Sequence, residues 1–496
     1  MLGFQKKSLN LLKLSVEKTE TGLMQLNLGD HEVKIRQEPE NIPPNQSKLS
    51  KLTQIKTNSL ESPAENNIFV AIASQEGFKY INNVKHQLHS KMEDFSVPAL
   101  TMSESCLSFK TSFDNNHVFI LADGHGGADA GEFMANRISD LIKIFINNEN
   151  NVEWNLNLQQ DSLKMKLGLE EIFNKVDKEY CEKKILEYTA FKNMLENKDI
   201  KESVNKPVDD GCTLIANILI NSIHGKWLVN ANVGDSRTIV SQLKLKSKTL
   251  SSPLSSAHLN LDSTQPQIES ITKKKTNLLQ KMHRSLSEPI LSKNGLNGSN
   301  GILFQSVDHN MSHVVKLNFI NDNGGKFLSP FANFIDPNLI PNSSSIYSPF
   351  QTSRVYRPAS DQVKQIGVSH KRTLNLSSTM GDLLFKIEPA VLCSKPDISI
   401  VKLDSNEKTL LVAATDGIWD HLRVRDSKSQ NEQVFQFLND EINGFFHSKV
   451  YNEDLLEEKF LNLAKKMVIR ENSQTKLFDS RFCIRFDDAM VQLILI

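Results

Sequence analysis

Residues 123–127 read Asp-Gly-His-Gly-Gly and directly follow the apolar run Val118-Phe-Ile-Leu-Ala122. A carboxylate and an imidazole at such a place can coordinate a metal or move a proton, and the end of a buried strand holds them more firmly than a loop does. A short apolar run bounded by turn signals reads as a buried strand. Glycine then lets the backbone turn sharply beside a ligand. Met134, Ile138, Leu141, Ile142 and Phe145 recur at helical spacing, so the segment predicts strand, tight turn, helix. Alone, the motif fits equally well an acid that caps the helix. Acids at the ends of other strands would separate the two readings, and they are present. Glu93 and Asp94 precede Phe95-Ser-Val97, Asp416 follows Leu410-Leu-Val-Ala-Ala-Thr415, and Asp487 and Asp488 open the run that closes at Ile496.

Converging carboxylates repel and need neutralising. An oxygen donor set without cysteine selects Mg2+ or Mn2+ rather than zinc. Two such ions about 4 Å apart can activate water and clamp a phosphoryl group during in-line attack. Glu93 and Asp94 are neighbours, so on a strand they face opposite ways; one can reach a metal while the other acts from behind it. Ordinary solvent-facing acids remain the alternative for this pair.

The elements that must position these groups can be read along the chain. Residues 68–73 form a first strand. Residues 160–197 carry Leu169, Ile172, Phe173, Val176 and Tyr180 on one side of a long helix. Residues 211–220 and 227–233 pair as a hairpin, and the second strand runs into Gly234-Asp-Ser-Arg237, a tight turn or bulge that aims Asp235. Residues 434–442 and 455–469 read as helices. Residues 1–66 are a polar, poorly ordered tail in which 9–16 could form a short helix or strand. Residues 67–496 form one domain, interrupted at 263–370 by an insertion rich in Ser, Asn, Lys and Pro, which is expected to be largely disordered.

Lys plus Arg number 58 and Asp plus Glu number 58, which argues against nucleic-acid or membrane-surface binding driven by bulk charge. The five cysteines are scattered without a Cys-x-x-Cys pair, so neither a disulfide framework nor a zinc site is expected. No signal peptide and no membrane span are expected. The chain is expected to be intracellular, in cytoplasm or nucleus.

The order of these motifs resembles the metal-dependent protein phosphatases of type 2C, which act on serine and threonine. The resemblance rests on Met92-Glu-Asp94, Asp123-Gly-His-Gly-Gly127, Gly211-Cys-Thr213, Gly234-Asp-Ser-Arg237, Gly381-Asp382, Asp416-Gly-Ile-Trp-Asp420 and Asp487-Asp-Ala489. It implies an α+β fold, an α-β-β-α sandwich of two antiparallel sheets flanked by helices, with a dimetal site in the central cleft. It implies that Asp123 bridges two Mg2+ or Mn2+ ions, that Glu93 and the Gly124 carbonyl serve one, and that Asp416 and Asp487 serve the other. Asp94 would orient the water and His125 would protonate the leaving oxygen. Asp235 and Asp420, with Asp416, would hold a weaker third ion, or Asp235 and Asp420 simply cap turns. A monomer acting on a phosphoprotein by direct attack of metal-held hydroxide is the function implied. The alternative is a silent binding module on the same fold.

Two departures bear on substrate binding. The family's arginine four residues before the Glu, which grips phosphate, is His89 here, and a neutral imidazole lacks the bidentate fork. Lys91 or Lys85 could lean in instead. The family's Ser-Arg-(Ala/Ser)-x-Gly-Asp is Ser377-Ser-Thr-Met-Gly-Asp382, so Ser378 replaces a second arginine. The insertion aligns with the family's flap beside the active site.

Overall fold

Alternate residues of each long strand turn to opposite sides, and in this chain both sides are apolar. Ile68, Val70 and Ile72 of strand β3 (Asn67–Gln75) join one core, while Phe69, Ala71 and Ala73 join another. A strand of that kind is buried on both faces, which requires a layer on each side. The computed structural model describes residues 27–28, 31–32, 67–81, 84–89, 91–100, 105–112, 115–147, 153–196, 205–243, 301–341, 349–369, 372–424, 426–446, 453–470, 477–478 and 485–496. The chain divides into two units, Met1–Pro63 and Ala64–Ile496. In the first, β1 (Asn27–Leu28) pairs with β2 (His31–Glu32). The expectation for residues 9–16 lies outside the described residues, as does the insertion's first part, 263–300.

The second unit is an α-β-β-α sandwich. One antiparallel sheet runs β18 (Asp397–Leu403), β10 (Gly225–Val233), β9 (Gly211–Ser222), β8 (His117–His125), β6 (Phe95–Val97), with β17 (Met380–Gly381) also on β9. The other runs β12 (Ile302–Gln305), β11 (Arg237–Gln242), β19 (Thr409–Ala414), β21 (Ala489–Leu495), β3, β7 (Cys106–Ser112). Between them lie Ile68, Val70, Phe119, Leu121, Ile215 and Ile494, among others. Helices α1 (Asp129–Ile146) and α2 (Gln159–Glu196) cover the first sheet through Met134, Ile138, Leu169 and Phe173. Two C-terminal helices, Ser427–Phe446 and Glu453–Val468, cover the second through Leu438, Phe460 and Leu463. Each such side chain stabilises the fold by roughly 1.5–3 kcal/mol when fully buried. A small sheet of β20 (Arg485–Phe486), β4 (Phe78–Ile81) and β5 (Val84–Gln87) lies in the same unit.

The long helix and the 211–233 hairpin form where the sequence places them. Three expectations change. β8 runs on to His125 rather than ending at Ala122, because its register with β9 continues through Asp123–Thr213 to His125–Gly211. Glu93 and Asp94 lie in the loop before β6, not on a strand. Within the insertion, residues 301–341 and 349–369 are folded rather than disordered. They give β12, α3 (Val314–Asp322), α4 (Asp361–Ile366) and the strands β14 (Phe334–Ile335), β13 (Lys326–Leu328) and β15 (Arg354–Tyr356) of a small sheet that β16 (Thr373–Leu374), just past the insertion, completes. Leu317, Ile320, Phe327, Phe350, Val355 and Val363 bury a separate small core there, closed by α5 (Leu383–Lys386). These apolar residues are sparse and fall on strands of two or three residues, so they leave no periodic signal. Cys106, Cys181, Cys212 and Cys393 are free thiols. Among the described residues no helix is long and apolar enough to cross a membrane.

Candidate active site

The alternation that buries β8 also aims its end. Phe119 and Leu121 face the inter-sheet core, so Asp123 and His125 continue the same face into the cleft. On β21 the face of Met490 and Ile494 leads back to Asp488, and on β19 the face of Leu411 and Ala413 leads to Thr415. At this end of the sandwich lies a cavity of about 460 Å3 whose lining includes Glu93, Asp123, Gly124, His125 and Asp235, together with Asp416 and Asp487, the chain neighbours of Thr415 and Asp488.

Burial and mutual repulsion raise these acids. Burial, then Asp416, Asp94 and Asp235, pushes Asp123 well above the usual carboxylate value. Asp416 is pushed up to about 7 by burial, Asp420 and Asp487, with a hydrogen bond to Asp123 acting the other way. Asp235 is raised by burial, Asp416 and Asp420. Glu93 is raised by burial against the opposing pull of His89. An all-oxygen, acid-rich set of this kind fits hard divalent cations. Gly124 fits too: a Cβ there would lie 2.4 Å from the Glu93 carbonyl oxygen, so no side chain is tolerated beside the acids.

Asp94 lies behind the cavity and lines a neighbouring groove. Its Oδ2 accepts from Thr415 Oγ1 at 3.0 Å, and Oδ1 is buried without a hydrogen-bond partner. Burial and Asp488 raise it. Asp488 Oδ2 accepts from the Glu93 backbone N at 2.6 Å and Oδ1 accepts from the Gly77 backbone N, so it fixes the loop that carries Glu93. Arg470 is fully buried and donates to the carbonyls of Gly417 and Asp487, both at 2.7 Å, tying together the backbones beside two of the acids. Asp420 is exposed and outside the cavity lining, though its charge acts on Asp416 and Asp235.

Asp123 does not cap α1. The cap of α1 is Ala128, without a side-chain bond, and Asp210 Oδ2 accepts from Ala130 N at 3.0 Å. Asp382 was legible only as part of a motif. It is fully buried, it adopts φ 55°, a strained value for a non-glycine residue, and its carboxylate meets His125 Nε2 at 2.8 and 3.0 Å. Burial alone would raise Asp382, but His125 and Arg372 hold it below the usual carboxylate value. A Cβ on Gly211 would lie 2.3 Å from its Oδ2, so that glycine makes room for it.

His89 lines the cavity, with Nδ1 3.4 Å from Glu93 Oε2 and 3.7 Å from Asp488 Oδ2. Lys91 does not join it: it lines the neighbouring groove and pairs with Glu132 at 3.5 Å. Lys85 lies over the Phe78 ring in that same groove. Ser378 is buried, donating to the Cys393 carbonyl at 2.6 Å, so the second replaced arginine corresponds to a packed position outside the cavity lining.

A second constellation lies elsewhere. His309, His313 and Asp397 bring three ligand atoms within 4.8 Å of one another. Each ring, however, accepts a backbone N–H at Nδ1, from Gly234 at 3.2 Å and from Lys316 at 3.5 Å. That places the proton of a neutral ring on Nε2, which faces Asp397 Oδ2 at 3.2 Å in His309 and 3.4 Å in His313, and makes the group a polar clasp whose Nδ1 lone pairs are already engaged.

The family model for protein phosphatase 2C matches residues 78–260 and 359–444. Protein phosphatase 2C homolog 4 of Saccharomyces cerevisiae is 32% identical over 125 residues, 25% of this chain and 28% of that protein. The chain thus spans well under half of that relative's length in the match. Among solved structures, a serine-threonine phosphatase 2C from Toxoplasma gondii is 15% identical, covering 87% of this chain and 96% of its own, at a TM-score of 0.43. A sex-determining protein of C. elegans is 14% identical, covering 86% and 64%, at 0.41. The family model alone takes in more than half of the 496 residues, and the chain belongs to the protein phosphatase 2C family.

Proposed function

We propose that this protein is a metal-dependent phosphatase that hydrolyses phosphoserine and phosphothreonine in proteins. The observation that carries the reading is the convergence of Glu93, Asp123, Asp235, Asp416 and Asp487 with His125 on one cavity. Glu93, Asp123, Asp416, Asp487 and the Gly124 carbonyl would hold two Mg2+ or Mn2+ ions, with Asp235 and Asp420 for a weaker third. Such ions, when bound, supply Lewis acidity to the phosphoryl oxygens and lower the pKa of a water.

The chain's own residues supply the rest. Asp382 fixes the His125 ring through Nε2, which leaves Nδ1 as the atom that delivers a proton to the departing seryl or threonyl oxygen. The unpartnered Asp94 Oδ1 is the acceptor available to orient the attacking water. The test is Mn2+-dependent release of phosphate from a phosphopeptide. Activity no higher than that of Asp123→Asn, in folded protein shown by calorimetry to bind Mn2+, would sink the reading in favour of a silent binding module.

A further inference from the structure

His89 faces the cavity without the fork of an arginine, and Lys85 and Lys91 lie in the neighbouring groove. The cavity is nonetheless lined by guanidinium groups. Arg354, on β15 of the inserted segment, and Arg372, just past that segment and immediately before β16 of the same small sheet, both lie on its wall. Arg485 lines it as well, but it is largely exposed and sits 3.6 Å from Asp487.

The first two differ in their partners. Arg354 donates from Nε to Thr373 Oγ1 and from Nη2 to the Thr373 carbonyl, both at 2.9 Å. These partners are neutral, and no carboxylate neutralises the exposed guanidinium among the described residues. Arg372 Nη2 lies 2.9 Å from Asp382 Oδ1 and 3.4 Å from the His125 carbonyl. Its Nη1 is buried without a hydrogen-bond partner, 3.6 Å from Asp209 Oδ2. The two groups are near enough that, after burial, the charge of Arg372 lowers Arg354 below the usual arginine value. Two neighbouring forks, one of them without a counter-charge, favour a planar or tetrahedral oxyanion.

We propose that Arg354 and Arg372 grip the substrate phosphate, taking over the part for which His89 is unsuited. Arg354 offers its exposed fork to the phosphoryl oxygens. Arg372, bound to Asp382, joins the grip to the residue that holds His125, so a phosphate drawn to the pair lies beside the proton donor. The inference rests on the phosphatase reading, and the experiment separates the two.

Inorganic phosphate is titrated by calorimetry into the Mn2+-loaded full chain, and phosphopeptide kinetics are measured on the same preparations. Arg354→Gln is expected to weaken phosphate binding and raise KM about ten-fold or more, with kcat within about three-fold. Arg354→Lys keeps the charge without the fork and is expected to recover only part of the loss. Arg372→Gln is expected to lower kcat as well, because Asp382 loses a partner. Mn2+ affinity and Tm of Arg354→Gln should match the wild type. If the wild type hydrolyses phosphopeptide and Arg354→Gln keeps its KM and phosphate affinity, this inference is overturned and the phosphatase reading stands. If the wild type binds phosphate through Arg354 but releases none from phosphopeptide, the inference stands and the activity falls. A wild type that does not bind phosphate at all overturns the inference.

Discussion

The two sides of the cavity come from different kinds of structure. The acidic side is built from the ends of long strands: Asp123 lies two residues before the end of a nine-residue strand, and Asp416 and Asp487 flank β19 and β21. Each is backed by a core on both faces of its sheet. The basic side stands on the small sheet: Arg354 is on a three-residue strand and Arg372 directly precedes a two-residue one, and the sheet has a small core of its own. Moving an acid would require shifting close-packed sheets. Moving an arginine would require shifting only the small inserted sheet. The difference separates a fixed chemical centre from a replaceable means of recognition, and one cavity joins them.

The largest expected effect lies on the acidic side. Asp123→Asn removes the central carboxylate and should lower kcat by about 10^3-fold or more, since ions of this kind contribute several kcal/mol to a transition state. A loss below about ten-fold would break the comparison by making the acids dispensable. Next comes the clasp that fastens the inserted segment to the first sheet. His309 is buried against Gly234, with Asp397, His313 and Lys316 around it, and burial pushes it down to about 4. Its folded pKa lies below its unfolded one, so it contributes stability above the unfolded value that is lost as pH falls from about 6.5 toward 4. The loss should reach about 3 kcal/mol by pH 4. Denaturant midpoints at pH 7 and pH 4.5 should differ less in His309→Gln than in the wild type; equal differences would remove His309 as the cause.

A smaller effect is expected where the two sides meet. Asp382→Asn keeps the shape but weakens the hold on His125, and kcat should fall about 10- to 100-fold with KM changed less. A KM effect alone would mean that Asp382 serves the phosphate and not the imidazole. The smallest is His89→Arg. With arginines already on the cavity wall, KM should change by less than about three-fold, well short of what a new bidentate pair supplies. A ten-fold drop would show that the position of His89, and not the inserted sheet, governs the grip.

The acidic side could be read from the sequence, and the basic side could not, for a physical reason. Strands such as 67–75 and 211–222 carry long apolar runs, and an acid at their end is conspicuous. Glu93 and Asp94 stand out in the sequence as adjacent acids, but they lie in a loop, and the contact of Asp488 with the Glu93 backbone that fixes that loop is not visible there. Asp210 and the duty of Asp382 were missed, because the contacts that define them join residues far apart in the chain. Arg354 and Arg372 lie in a polar segment whose strands are too short to show a period, and nothing in a single sequence says that such strands fold back onto a cavity. The same brevity explains why 263–370 reads as a largely disordered insertion although 301–341 and 349–369 are folded.

The strands that bracket residues 244–300 carry one more implication. β11 and β12 are paired, with Gln242 N donating to the Gly301 carbonyl at 3.0 Å, so the chain leaves and re-enters the sheet at one point. The entropy of closing a loop grows only slowly with its length. The junction is therefore a natural splice point: spans of very different length can be joined between Gln242 and Gly301 at little difference in entropic cost.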